Sequence, residues 1–167
     1  DYLLIDASSM ADDSLKGESG FLVYPTQISS EISTEQGVSN LHGNSWQNAE
    51  KQIRGEYIDP GTKKAYLNEA DIDSFEGWSY FPEIVQVVNQ NQDAPAAVGN
   101  FNANNGYEDE PLTGIPGWGD STDDIASEYL ALLELERGAY KLGVNSDDGF
   151  SATIGANFGD LLAQQLG

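Results

Sequence analysis

The chain has 167 residues, about one domain with room for a sizeable core, and it carries 28 acidic against 7 basic side chains for a net charge of −21. Such self-repulsion argues against nucleic acid and anionic membranes as partners, and for solubility or cation binding; most scattered carboxylates are solvated surface. With no cysteine and one histidine, His42, disulfides, thiolate metal sites and multi-histidine zinc sites are excluded. No apolar run approaches the roughly 18 residues of a membrane span. No signal peptide is visible, and Asp1 is an unusual natural start, so a processed or excised piece is expected.

In chain order, Tyr2–Ile5 is a short apolar run that suits a buried strand, followed by a polar lead-in to residue 19 that holds the pair Asp12-Asp13. Residues 20–33 are β-rich, with Pro25 expected at a bulge or an edge because proline has no N–H for a ladder. A polar loop with His42 follows. Asn44–Arg54 predicts a short helix: Asn44 as cap, Gln47 at the capping-box position, Trp46, Ala49 and Ile53 on one face, and Gly55 as the stop. Asp59-Pro60-Gly61-Thr62 predicts a turn, with Asp bonding ahead, Pro setting φ and Gly relieving the next position. Asp71, Asp73 and Glu76 begin like a calcium loop, but glycine comes one residue late for the EF-hand pattern.

After Pro82, residues 83–90 alternate and predict a strand; Val98–Phe101 suggests another short one. Residues 102–121 form a long Gly- and Pro-rich stretch of the kind often tied to function. Its Trp118 is a candidate platform for a sugar ring or a pin that holds the loop to the core. Residues 124–137 fit two periods, a helix by propensity or a strand by alternation.

The most informative stretch is Gly138–Gly155. Tyr140, Leu142 and Val144 alternate on the way out, and Phe150, Ala152 and Ile154 on the return. Asn145-Ser146-Asp147-Asp148-Gly149 lies between, and Asp-Gly between alternating runs is a strong hairpin signal. The turn does not require two carboxylates; Asp147 and Asp148 offer the hard oxygen ligands calcium takes.

This stretch, G-A-Y-K-L-G-V-N-S-D-D-G-F from Gly138 to Phe150, resembles the signature of the PA14 family. Asn48–Gln52, Asp59-Pro60-x-Thr62 with Tyr66, Asn68, Ala70 and Asp71, and Gly114-Ile115-Pro116-Gly117 extend the likeness more loosely over residues 20–155. The resemblance implies a mainly β fold: an antiparallel sandwich over residues 20–167, with one short helix near 44–54 and long loops. It also decides for a strand over 126–136. Only residues 156–167 follow the hairpin, where the family continues with several strands. The sandwich is therefore expected to be incomplete, with its remaining strands coming from another segment or molecule and an open edge prone to self-association.

The family occurs in secreted adhesins, glycosidases, toxins and bacterial surface proteins. The resemblance thus implies an extracellular or cell-surface binding module. Asp147 and Asp148, with Asn145, would hold calcium, and a glycan would bridge to the ion with Trp118 nearby. The later loop that supplies further calcium ligands in sugar-binding members has no counterpart here. The alternative expectation is a structural module of a surface or filament assembly with no small ligand, completed by β-augmentation. No G-x-S-x-G, P-loop, G-x-G-x-x-G or H-E-x-x-H occurs, and no enzymatic activity is expected.

Overall fold

A computed structural model describes residues 17, 19–29, 45–70, 83–90, 101–107, 109, 112, 114–117, 122–156 and 163–166. The expectations placed on Tyr2–Ile5, Asp12-Asp13, His42, Asp71, Asp73, Glu76, Val98–Asn100 and Trp118 lie outside these residues. The described chain is β-rich, with small antiparallel sheets and one short helix.

Strand β1 (Phe21–Gln27) is central in a three-stranded antiparallel sheet, between β2 (Glu83–Val85) and β3 (Ile125–Leu130). Phe21 pairs with Val85, Val23 with Tyr129 and Gln27 with Ile125. Side chains alternate across a sheet, so these pairs share one face. That face holds the core, where Val23 packs with Ala70, Leu112 and Ile115, flanked by Phe21, Val85, Ile125 and Tyr129.

Pro25 lies inside β1, and its position has a hydrogen-bonding reason. The Ile28 N–H donates to Asp124 O (3.4 Å), so by the register the even residues of β1 bond toward β3 and the odd ones toward the opposite edge. On that edge β2 covers only Phe21–Val23. Pro25 is the next odd residue, at a local edge where a missing N–H leaves no gap in the ladder.

Helix α1 (Trp46–Ile53) is capped one residue later than the sequence suggests. Ser45, not Asn44, is the cap, and its hydroxyl accepts from the Asn48 N–H (3.3 Å). Gln47 then falls one place short of the third helical position, so it cannot close a capping box. Trp46, Ala49 and Ile53 are half-buried, whereas Gln52 on the same side is buried. Gly55 ends the helix with φ of 63°, as expected. The turn at Asp59 also forms as read: Asp59 Oδ1 accepts from the Gly61 N–H (2.7 Å) and Oδ2 from the Thr62 hydroxyl (2.8 Å).

Three expected β segments are corrected. The segment after Pro82 pairs only over Glu83–Val85 and bends at Gln86, leaving Val87 and Val88 exposed. The strand predicted over 126–136 is a strand and not a helix, but it spans Ile125–Leu130, where β1 ends as a partner. The 138–155 hairpin does not form. Residues 131–152 have no strand, and β4 (Thr153–Ile154) pairs instead with β5 (Gln164–Gln165). An isolated two-stranded hairpin is marginal in water unless its apolar face is covered. Tyr140, Leu142 and Val144 are all exposed.

Candidate functional site

A buried polar junction positions everything around it. Thr26, Gln27, Gln52 and Asn68 are each almost fully buried. Asn68 replaces the strand that β1 lacks beyond β2. Its Oδ1 accepts from the Gln27 N–H (3.0 Å) and the Ala70 N–H (3.1 Å), and its Nδ2 donates to Pro25 O (3.3 Å). The Glu69 N–H adds a bond to Gln27 O (2.9 Å). Opposite, Gln52 Nε2 contacts Thr26 O (3.2 Å) and Asp124 O (2.8 Å), tying α1 to β1 and to the entry of β3. The Thr26 hydroxyl donates to Ala126 O (2.7 Å). Gln27 itself reaches two loops, donating to Asp123 O (2.9 Å) and accepting from the Gly117 N–H (3.0 Å). Gly117 is required there, since a Cβ would overlap the Glu69 carbonyl. Buried polar groups are stable only when paired, and these four side chains meet that condition with backbone partners.

Gln52, Tyr66, Asn68, Ala70, Ile115 and Gly117 are all buried. They fall within fragments singled out in the sequence, and here they are part of the buried scaffold. Sequence reasoning recognised the fragments but did not join them into one junction; the buried-polar spacing of Tyr66, Asn68 and Ala70 was the available signal.

Electrostatics around the scaffold are mild. Hydrogen bonds from the Gly61 N–H and then the Thr62 hydroxyl hold the Asp59 carboxyl below its usual range. Burial pushes the Tyr129 phenol upward, partly offset by Ser127; the Tyr129 hydroxyl donates to Gln90 Oε1 (2.7 Å).

The scaffold delivers β3 directly into residues 131–152, which hold the predicted site residues Asn145, Asp147 and Asp148. Asp147 and Asp148 form a bend on an exposed stretch, with exposed Asn145 two residues before it. Calcium takes six to eight oxygens, and among the described residues no three acidic or histidine side chains gather to hold an ion. Trp118 lies outside the described residues, so its relation to this bend is not part of the geometry.

What the segment does present is apolar surface. Leu133 and Leu142 are 64% and 65% exposed and Tyr140 is 57% exposed, with Leu135, Val144 and Phe150 also open to solvent. The Tyr140 hydroxyl donates to Glu136 O (2.6 Å), pinning the bend at Arg137-Gly138. On the other side of the segment, a Cβ on Gly143 would lie 3.9 Å from the Phe101 ring. Phe101 and Tyr107 meet edge to face, centroids 5.2 Å apart. Exposed apolar residues are ordinary when they are scattered singly; here several follow one another along one segment.

No described helix is long and apolar enough to cross a membrane. No protein-family model, curated protein or solved structure matches the chain.

Proposed function

We propose that this chain is an assembly module of an exported or cell-surface protein, a PA14-like sandwich completed when residues 131–152 take up strands from another segment or molecule. One observation carries this reading. Leu133 and Leu135, and past the bend Tyr140, Leu142 and Val144, repeat at strand spacing, yet they stand in solvent on residues that form no strand. Pairing would satisfy that backbone and bury the apolar face together, which is the physics of β-augmentation. Hydrogen exchange on the chain by itself tests it. Amides of β1 and β3 should be protected and those of 131–152 should exchange at nearly unprotected rates; a protected 131–152 would sink the reading.

A second reading is calcium-dependent glycan binding at Asp147, Asp148 and Asn145, with Trp118 as a stacking surface. It is favoured by the bend at Asp147-Asp148, where two successive acidic residues are exposed. A calorimetric calcium titration of the wild type and of the Asp147→Asn/Asp148→Asn variant separates the two. Binding lost in the variant supports the ion site. Its absence in the wild type leaves the assembly reading alone.

A further inference from the structure

We propose that the Lys141–Leu142 peptide bond is a processing site, hydrolysed in the folded chain by a serine protease whose specificity pocket takes Lys or Arg. The inference goes beyond the assembly reading and needs no partner on the segment. Such a protease takes its substrate as an extended strand, hydrogen-bonded edge-on in the cleft, while an acidic pocket holds the basic side chain before the cut bond. A cleavable bond therefore needs exposed side chains on both sides, free backbone edges and no local bend. Residues 133–150 are all exposed, and 139–146 run between two bends without helix, strand or turn. Among the described residues, 139–144 make no backbone hydrogen bond. The Phe101 ring beside Gly143 is an apolar contact and occupies no N–H or carbonyl. Water adds across the amide: the C–N bond breaks, Lys141 keeps a carboxylate and Leu142 gains an amine.

Position separates Lys141 from the other described basic residues. Lys51 lies within α1, and its carbonyl accepts from the Glu56 N–H (2.9 Å). Arg54 caps the same helix, its N–H donating to Glu50 O (3.0 Å). Lys63 and Lys64 close the Asp59 turn: the Lys63 N–H donates to Asp59 O (2.8 Å), and Lys64 O accepts from the Asp59 N–H (2.9 Å). Arg137 sits in the bend pinned by the Tyr140 hydroxyl on Glu136 O. A cut at any of these first requires local unfolding, and a cut at Lys141 does not. The product is also defined. β1, β2, β3, α1 and the Asn68 junction precede residue 131, whereas β4 and β5 follow residue 152 and pair with each other. Among the described strands no pair crosses the cut, so hydrolysis leaves the three-stranded sheet whole.

The test treats the folded chain with trypsin at a low enzyme ratio and follows the C-terminal fragments over time by intact mass spectrometry. The first to appear should begin at Leu142. A Lys141→Gln variant should lose that fragment and release any C-terminal fragment about ten-fold or more slowly, because the remaining sites wait for local unfolding. After the cut, the amides of β1 and β3 should keep their protection from hydrogen exchange. A first fragment beginning at Gln52, Gly55, Lys64, Ala65 or Gly138 would overturn the inference. So would resistance of the Lys141–Leu142 bond in the folded chain, an unchanged rate in the variant, or loss of β1 and β3 protection on cleavage.

Discussion

The junction around Asn68 and the segment 131–152 invert the usual distribution of polarity in opposite ways. The first buries amides and a hydroxyl; the second exposes leucines, a valine and a tyrosine. The difference lies in where backbone hydrogen bonds are met. At the junction, side chains from α1 and from residues 66–70 stand in for a missing strand, so polar groups belong inside. Residues 131–152 form no strand, so a sequence patterned for a sheet face has no sheet in which to bury it. The comparison teaches that burial here follows strand pairing, and apolar character alone does not produce it.

The largest expected effect breaks the first region. Asn68→Leu removes the acceptor of the Gln27 and Ala70 N–H groups and the donor to Pro25 O, and should cost about 3 kcal/mol at roughly 1 kcal/mol per lost bond. Urea denaturation with an unchanged slope would measure it; a loss under about 1 kcal/mol would show that the junction relaxes around the change. Gly117→Ala forces a methyl against the Glu69 carbonyl and should cost about 2 kcal/mol, read as a Tm drop of roughly 4–8 °C for a chain of this size. The same substitution at Gly106, where a Cβ meets no neighbour but φ is 85°, isolates backbone strain from steric overlap.

A pH series sharpens the comparison further. Burial raises the Tyr129 pKa in the folded state, so its contribution is fully present below the unfolded value of about 10 and is lost as pH rises through the folded one. Thermal stability should fall as pH rises from about 10 through the raised folded value, and Tyr129→Phe should remove part of that slope.

The smallest stability effect belongs to the second region. Leu142→Ser should change unfolding free energy by no more than about 0.5 kcal/mol, the ordinary surface range, while reducing the binding of a hydrophobic dye. A cost above about 1.5 kcal/mol would mean that Leu142 is packed in solution and that the contrast between the regions fails.

Sequence by itself determined the elements whose signals are local. The apolar run at Phe21–Tyr24 specified β1, a cap followed by a half-buried stripe and a terminal glycine specified α1 to within one residue, and Asp59-Pro60-Gly61-Thr62 specified its own turn. Each depends on interactions spanning a few residues, which the order of side chains encodes directly. Residues 124–137 fitted two periods, and β1 made the difference by pairing with Ile125–Leu130. The tertiary structure alone decided which side chains complete β1, because Gln52, Asn68 and Gly117 reach it from segments far along the chain. It also decided that the two halves of the 138–155 pattern do not pair with each other, Thr153–Ile154 pairing with Gln164–Gln165 instead. Alternation specifies a face that can be buried, and burial needs a second surface that the pattern itself does not contain.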